Sequence, residues 1–474
     1  MLSRPVYNPK FELFKKAIIG KKVGVLGVGV SNLPVIELLN NLGAIVYAFD
    51  KKEEKDFDEK ALEILHSNTK GGCVLGKGYL DNLNDVDIII KTPGIRPDIP
   101  ELVKAEENDV VVTSEMEIFM SLCPCKMIGV TGSDGKTTTT TLIYEMLKKD
   151  GKTCHVGGNI GTPLLDRLPY INEDDYVVLE LSSFQLQLIG ISPDISVITN
   201  ITPNHLDYHK DMDEYTMAKA NIFKFQNKTS KLVINADNPV TNSFAGKQKG
   251  ELLYFSRKQE KNGAYLSENK LCFNGDVVMT REDIKIRGIH NVENYLAAIA
   301  ALYGIVDKKS MLKVAREFGG VAHRMEFVRS LNGVEFYNDS IGSSPTRTIA
   351  GLKAHDGKIV LMAGGYDKKL SFDELGTVVK DTVTSLVLCG ATADSIEQSV
   401  KKAYLKGEQP LNILKTTDFE QAVKGAYALA KSIVMQGTKE RVSVILSPAC
   451  ASFDMFKNFE VRGNTFKDIV NSLE

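Results

Sequence analysis

The sequence has no apolar run long enough to cross a bilayer, and its first 22 residues mix charged with apolar side chains. A transmembrane helix needs about 20 mostly apolar residues in a row, and a signal peptide needs an uninterrupted apolar segment. We therefore expect no membrane partner and no secretion. Net charge is also nearly absent, since 58 Lys and Arg face 60 Asp and Glu, for a formal charge of -2. This balance does not favour nucleic acid as a partner, so any anion site must be local.

Cysteine is scarce, with seven residues scattered along 474 positions. An odd, scattered set fits reduced thiols in a large protein of the cytoplasm, which is the location we predict. Only Cys123 and Cys125 are close together, and one such pair without a second pair is a weak metal signal. We interpret both as buried structural thiols.

The composition is that of a globular protein, with 43% hydrophobic and 25% charged residues, and the length allows about three domains. Three segments each open with an apolar β-rich run that leads into a helical pattern, which is typical of parallel α/β units. Short alternating runs between about 250 and 287 predict a small antiparallel insert. The predicted fold is α/β with a Rossmann-like domain at 1–120, a central P-loop ATPase-type domain with a parallel sheet at 121–329, and a second Rossmann-like domain at 330–474.

The strongest local signal is the run TGSDGKTT at 131–138, between a predicted strand and a predicted helix. Glycines let consecutive N–H groups face a phosphate, the helix start adds positive partial charge, Lys136 reaches the terminal phosphates, and Thr137 can bind Mg²⁺. Val130 stands where the usual spacing has glycine, and a plain tight turn is the alternative. We assign ATP binding to Gly132, Ser133, Asp134, Gly135, Lys136, Thr137 and Thr138.

A second glycine loop, GVGVSN at 27–32, is similar to a dinucleotide fingerprint but has Asn32 where the third glycine belongs. Asp50, at the end of the next predicted strand, is placed to accept a ribose hydroxyl. This pattern supports a nucleotide or diphosphate site about as well as a purely structural turn.

Polar clusters follow two further predicted strands, ELSSFQ at 180–185 and NITPNHLD at 200–207. Glu180 and His205 at neighbouring strand ends would complete Mg²⁺ shells around ATP. Either residue alone would more often cap a helix or form a hydrogen bond at the end of its strand. The metal-site prediction therefore depends on the two residues lying at the same edge of the sheet. The third segment has polar groups at 323–326, 338–340 and 364–369, and the simplest interpretation is that they are exposed to solvent. A lysine beside a Gly-Gly turn, as in 364–369, can also bind a carboxylate or a phosphate.

From about residue 20 onward the chain resembles the Mur ligase family of amide-bond-forming enzymes. The resemblance rests on the phosphate loop, on the two clusters above, and on the runs VGGNIG at 156–161, AKANIF at 218–223, HNVEN at 290–294, AHRME at 322–326 and SPACASFD at 447–454. The SSFQ run and the 447–454 run point to the branch that adds D-glutamate.

The resemblance implies ATP-dependent ligation of D-glutamate to UDP-N-acetylmuramoyl-L-alanine through an acyl phosphate, a cytoplasmic step of peptidoglycan synthesis, by a monomer that uses Mg²⁺. The 1–120 domain would bind the UDP substrate and the 330–474 domain the amino acid. Catalysis would involve Lys136, His205 and Lys219, and the metal would be held by Thr137, Glu180, His205 and Lys219, the last as a carbamate. ATP would further contact Asn291, Asn294, Arg324 and Asp339. The substrates would contact Asp50, Lys52, Asn159, Ser343, Lys368, Ser452, Phe453 and Phe459.

The chain departs from the family pattern at two places. After Asn338-Asp339-Ser340 the family continues Lys-Ala-Thr, whereas Ile341-Gly342-Ser343 follows here, and Asp134 replaces the usual asparagine. Alternatives within the class are the diaminopimelate-adding and folylpolyglutamate ligases. The Asp-Asn-Pro-Arg motif of the former is absent from the third segment. From other classes, an NAD-dependent dehydrogenase or a non-catalytic nucleotide sensor would also use the first glycine loop, although Asn32 and the phosphate loop count against the dehydrogenase.

Overall fold

The computed structural model describes residues 5–29, 31–161, 163–205, 208–286, 288–368, 370–405 and 408–474. Val30 of the first glycine loop, Leu206 and Asp207 of the 200–207 run, and Lys369 lie outside the described residues. The chain forms two compact units, of which the first ends at Glu317 and the second extends from Phe318 to Glu474. Within the described ranges, none of the helices has both the length and the apolar character that crossing a bilayer requires.

The first sheet of the first unit is parallel and has five strands in the order β3-β2-β1-β4-β5. Its strands are β1 Lys22–Leu26, β2 Ile45–Asp50, β3 Gly72–Leu75, β4 Ile88–Lys91 and β5 Val111–Thr113. Its helices are α1 Pro9–Ile18, α2 Leu33–Asn41, α3 Glu59–Asn68, α4 Pro100–Glu107 and α5 Glu115–Leu122. In this order β1 lies at the centre, with β2 and β3 on one side and β4 and β5 on the other, which is the arrangement of a Rossmann-like sheet. The predicted Rossmann-like fold of this segment is therefore confirmed.

The second sheet has nine strands in the order β14-β13-β12-β11-β10-β9-β6-β8-β7. The strands are β6 Lys126–Thr131, β7 Cys154–Gly158, β8 Tyr176–Glu180, β9 Ile195–Ile198, β10 Lys231–Asn235, β11 Glu251–Ser256, β12 Gly263–Ser267, β13 Lys270–Phe273 and β14 Asp276–Thr280. The helices are α6 Lys136–Lys149, α7 Ser183–Leu186, α8 Met212–Lys224, α9 Pro239–Asn242, α10 Ile289–Leu302 and α11 Lys308–Glu317. The apolar helix α10 is buried along most of its length and contacts α6.

The predicted antiparallel insert is partly wrong. β12, β13 and β14 pair antiparallel, but β11 pairs in parallel with β10, and β12 in parallel with β11. The segment therefore extends the central sheet instead of forming a separate one. Residues 252–255 alternate because β11 is less completely buried than the central strands. Its first residue is exposed, and partly buried residues alternate with buried ones after it.

The second unit contains a six-stranded sheet in the order β15-β16-β20-β17-β18-β19, in which only the β15–β16 pair is antiparallel among the described pairings. The strands are β15 Glu326–Leu331, β16 Val334–Asn338, β17 Lys358–Ala363, β18 Ser385–Cys389, β19 Asn412–Thr416 and β20 Val442–Leu446. The helices are α12 Pro345–Lys353, α13 Asp373–Thr382, α14 Ala393–Lys402, α15 Phe419–Met435 and α16 Phe459–Ser472. Apolar clusters cover both faces of this sheet.

The division at 120 and 329 stays a prediction. Position 120 falls inside α5, and position 329 falls inside β15. Each of the three predicted ranges nevertheless holds most of one sheet.

Candidate active site

The phosphate loop joins β6 to α6, in the strand–turn–helix context that its sequence predicts. Gly132 has φ 150° and Gly135 has φ 77°, so both adopt backbone conformations that favour glycine. A Cβ at Gly132 would overlap the Thr199 hydroxyl, and one at Gly135 would overlap the side-chain oxygen of Asn294. The backbone is therefore packed closely from behind, and it leads into the start of α6, a helix N-terminus of the kind that suits an anion.

Two lysines converge on this loop. Lys136 Nζ donates to the carbonyls of Gly132 at 3.0 Å and Ser133 at 2.9 Å, while Lys219 Nζ donates to the Gly132 carbonyl at 2.7 Å. Lys219 comes from α8 and is only 1% exposed. Burial, and then the charge of Lys136, lower the pKa of Lys219 well below its usual value. The Lys219 amine beside the loop therefore loses its proton more readily than an exposed lysine does.

Groups from the segment after β9 and from α8 hold the loop in place. The Ser133 hydroxyl lies 2.9 Å from the Tyr215 hydroxyl and donates to the Thr202 carbonyl at 3.0 Å. The Asp134 N–H donates to the side-chain oxygen of Asn200 at 2.9 Å. β6 and β9 are adjacent parallel strands, and the residues that follow them are joined by hydrogen bonds. These bonds account for polar residues at the start of the 200–207 run.

Glu180 ends β8 and is 1% exposed, with Asn159 donating to its Oε1 at 2.7 Å. Its Oε2 has no hydrogen-bond partner among the described residues. A buried carboxylate oxygen without a donor is costly unless a cation or a donor completes the site. The predicted contact residue Asn159 and the predicted metal ligand Glu180 are therefore in direct contact.

His205 has a left-handed backbone, with φ 54°, and its exposed ring lies 4.9 Å from Phe184 and 6.4 Å from Tyr215. Thr137 is half-buried in the first turn of α6, as is Thr138. The described residues contain no group of three His, Cys, Asp or Glu side chains able to hold a metal ion. A Mg²⁺ ion here would need oxygens from phosphate, water or a modified Lys219 beside Glu180, and the orphan Oε2 fits that requirement.

Helix α10 brings Asn291 and Asn294 to the phosphate loop. Asn294 donates to the side-chain oxygen of Asn291 at 3.1 Å and accepts from the Thr139 hydroxyl at 3.2 Å. Because Asn294 also faces Gly135, the two predicted ATP residues on α10 lie against the start of α6.

Asp50 binds the first glycine loop through backbone hydrogen bonds. Its carboxylate accepts from the Val28 N–H at 2.5 Å and from the Lys52 N–H at 2.8 Å. Asn32 donates to the Gly27 carbonyl at 2.8 Å, so the residue that breaks the glycine fingerprint closes the loop with its side chain. The Lys52 amine lies 5.3 Å from the Phe57 ring centroid. Asp50 and Lys52 therefore occupy one turn beside the loop.

In the second unit Asp339 is 5% exposed at the end of β16. Its carboxylate accepts from the Ser447 hydroxyl at 2.7 Å and from the Met325 N–H at 3.2 Å. Burial raises the pKa of Asp339 to about 6, against the opposing effects of these bonds and of Arg347 and Arg324. The predicted residues Arg324 and Asp339 are thus close enough for their charges to interact. Arg347 interacts with Asp339 in the same way, and no sequence motif indicated it.

The structure brings together two of the five predicted amino-acid contacts through a hydrogen bond, since Lys368 Nζ donates to the Ser343 carbonyl at 3.4 Å. Ser452 is buried, whereas Phe453 is exposed with its ring 6.1 Å from Tyr366. Phe459 instead packs 5.8 Å from His323. Its contact is with the loop that precedes β15.

Sequence reasoning missed Arg462, which is 3% exposed on α16. Its guanidinium donates to the Ser340 hydroxyl and carbonyl at 3.0 and 2.9 Å and to the carbonyls of Cys450 and Ala451 at 3.1 Å. It therefore holds the 447–453 loop against the end of β16. The only available signal was a charged residue on the apolar face of a helix.

Comparison with known proteins gives matches along most of the chain. Residues 21–114 match the family model "Mur ligase MurD-like, N-terminal domain", residues 130–302 match "Mur ligase middle domain", and residues 323–438 match "Mur ligase, glutamate ligase domain".

Two relatives carry the name UDP-N-acetylmuramoylalanine--D-glutamate ligase. The one from Clostridium kluyveri is 51% identical, covering 98% of this chain and 99% of the relative. The one from Acetivibrio thermocellus is also 51% identical, covering 98% of this chain and all of the relative.

Solved structures share the fold at lower identity. UDP-N-acetylmuramate-alanine ligase MurC from Thermotoga maritima has a TM-score of 0.53 at 21% identity, covering 95% of this chain and 99% of that chain. MurF from Acinetobacter baumannii has a TM-score of 0.54 at 15% identity, covering 97% and 92%.

Proposed function

The chain belongs to the Mur ligase family, and from this premise we propose that it joins D-glutamate to UDP-N-acetylmuramoyl-L-alanine in a reaction that converts ATP to ADP and phosphate. The observation that carries the proposal is the convergence of Lys136 and the buried Lys219 on the Gly132 carbonyl of a phosphate loop. The names of the relatives supply the substrates. ATP and a UDP-linked sugar are metabolites of the cytoplasm, which is where we place the reaction.

A carboxylate is a poor acyl donor, so the L-alanine carboxylate must first be activated. We propose that it attacks the γ-phosphorus of ATP, giving an acyl phosphate and ADP. The amine of D-glutamate then attacks the acyl carbon, the C–O bond to phosphate breaks, and the amine loses a proton. Lys136 and the N-terminus of α6 would offset the repulsion between the two anions in the first step.

Lys219 would act after modification. Its neutral amine can attack CO₂, forming an N–C bond and releasing a proton, which turns a potential cation into a carbamate anion. The carbamate, Glu180, His205 and Thr137 would hold Mg²⁺, which would supply charge neutralisation at the phosphates. The orphan Oε2 of Glu180 and the depressed pKa of Lys219 support this assignment.

The remaining assignments are also proposals. Asp50 and Lys52 would contact the UDP group, and Asn159 the muramoyl group. Lys368, Ser343, Ser452, Phe453 and Phe459 would bind D-glutamate, and Asn291, Asn294, Arg324 and Asp339 would contact ATP. The lysine missing at Ile341 leaves Lys368 as the main assigned cation for the amino acid.

The test is phosphate release with ATP, Mg²⁺ and UDP-N-acetylmuramoyl-L-alanine across a panel of amino acids, with the product identified by mass. We expect release with D-glutamate and a product larger by one glutamyl residue. Release with another amino acid instead would move the assignment to a different ligase. Nucleotide binding without release under any amino acid would favour a sensor.

A further inference from the structure

Arg96 lies in the loop after β4 of the first sheet and reaches elements of the second sheet within the same unit. Its guanidinium bonds to Asp98 at 2.8 and 2.9 Å and to Glu214 at 2.7 and 3.2 Å, and it also donates to the Tyr208 carbonyl. A guanidinium has five N–H donors in a fixed plane, and these five bonds match that number. The side chain is 21% exposed, so the cluster is partly shielded from water.

Tyr208 returns the contact. Its hydroxyl donates to the Pro93 carbonyl at 3.2 Å, and its ring lies 5.3 Å from the Arg96 guanidinium. Behind the loop, the buried Lys91 donates to the Ile95 carbonyl at 2.7 Å, which fixes the segment that presents Arg96. Lys210 adds an ion pair with Asp98 at 2.9 Å. The contact is therefore reciprocal, and both sides are anchored.

The second side of the contact leads directly to the candidate active site. His209 is buried beside Tyr208, lies 2.9 Å from the Ser183 hydroxyl, and stacks on the Phe184 ring at 5.7 Å. Ser183 and Phe184 belong to the run that begins at Glu180. Glu214 lies on α8, the helix that also carries Lys219.

We propose that Arg96, with Tyr208 and Glu214, is a positioning cluster that holds the carboxyl edge of the first sheet against that of the second. It thereby aligns the carboxylate of a substrate bound by the first sheet, which is the phosphoryl acceptor, with the phosphoryl group bound by the second. The inference rests on the proposed function, because it assigns the UDP substrate to the first sheet and ATP to the second. Phosphoryl transfer depends on in-line placement, and a displacement of about 1 Å can cost about 100-fold in rate. Arg96 touches no reacting atom in this assignment.

The experiment compares Arg96→Gln and Arg96→Lys with a matched control, Arg316→Gln, whose guanidinium pairs with Asp283 at 2.8 Å on the same unit. We expect kcat for ligation to fall about 10- to 100-fold in Arg96→Gln with the ATP KM within about twofold, and the control to retain wild-type turnover. Arg96→Lys should lose at least about fivefold, because an ammonium cannot reproduce five planar bonds. A double variant with Glu214→Gln should lose about as much as Arg96→Gln alone, since both changes remove one contact.

Wild-type turnover in Arg96→Gln, full turnover in Arg96→Lys, or an ATP KM that rises in step with the loss of kcat would each overturn the proposal. A second readout needs no substrate. Hydrogen exchange of the amides at 93–98 and 208–214 should accelerate together in Arg96→Gln, while α6 remains protected. Unchanged exchange at 208–214 would refute the contact itself, whereas a wild-type protein without ligase activity would refute only the proposed function.

Discussion

At the scale of single residues, Lys136 and Lys219 share one carbonyl but differ in burial and in proposed role. Lys136→Ala should abolish ligation while leaving the fold intact, because its amine bonds to loop carbonyls and neutralises the transferring phosphate. Turnover and thermal unfolding of the variant check this. Unchanged turnover would remove the phosphate-transfer assignment of the loop.

Lys219→Ala should be nearly inactive and partly rescued by short carboxylic acids. The substitution empties a buried position beside Glu180, where a diffusible anion can stand in for the carbamate. The measurement is turnover against acetate or formate concentration, with Lys136→Ala as the control that neither acid should rescue. Loss without rescue would leave Lys219 as a structural or phosphate-binding lysine.

Asp339 should make the stability of the second unit depend on pH. Its pKa in the folded state, about 6, lies above its usual 3.8, so between these values the folded state binds more protons than the unfolded state. The free energy of unfolding therefore falls as pH rises through this window. Asp339→Asn has no such titration, so its stability relative to wild type should rise by about 2–3 kcal/mol between pH 4 and pH 7. Denaturant midpoints of both proteins at several pH values measure this, and a constant difference would contradict it.

At the scale of elements, the 447–453 loop depends on α16 through Arg462. Arg462→Met should destabilise the second unit by on the order of 3 kcal/mol, because it removes the donor that Arg462 supplies to the buried carbonyls of Ser340 and Cys450. Arg329→Met is the control, since Arg329 donates to Asn471 and Leu473 carbonyls near the chain end and should cost about 1 kcal/mol. Equal losses in denaturant unfolding would show that the loop does not rely on Arg462.

Elements also show what the sequence could and could not predict. The apolar segments 231–235, 358–363, 385–389 and 442–446 each predict a strand from the sequence alone, and β10, β17, β18 and β20 have these same bounds. Seven strands had no prediction; β3, β5, β7, β15 and β19 lie at sheet edges, whereas β4 and β12 lie inside their sheets. An edge strand is covered less completely, so its sequence carries fewer apolar residues and a weaker pattern.

The same reasoning applies to the site. The phosphate loop, Glu180 and the 200–207 run were predictable because parallel strands bring their carboxyl ends to one edge of a sheet. Arg96 and Arg462 were not, because Glu214 and Ser340, the partners that define their roles, lie more than a hundred positions away in the chain and no local spacing marks them. Family resemblance alone indicated Lys219, which in isolation is an ordinary helical lysine.

At the scale of the whole molecule, the proposed ATP loop lies in the first unit and Lys368 in the second. Lys368→Ala should raise the D-glutamate KM about 10- to 100-fold, because a lost charged hydrogen bond costs about 1.5–3 kcal/mol, and should change the ATP KM much less. Ser452→Ala removes a neutral partner and should cost about 0.5–1.5 kcal/mol. Steady-state kinetics with each substrate varied separately provide the measurement. Equal effects on both KM values, or equal activity with L-glutamate, would place the amino-acid pocket elsewhere.

The close packing behind Gly132 and Gly135 limits how this protein can escape an inhibitor. Resistance commonly arises by changing a side chain that a drug touches, but neither glycine can gain a Cβ without overlapping Thr199 or Asn294 and straining its backbone. A compound whose affinity depended on the backbone path of these two glycines would depend on a feature that side-chain substitution at either position disrupts. Resistance to it would have to arise from substitutions elsewhere or from altered expression.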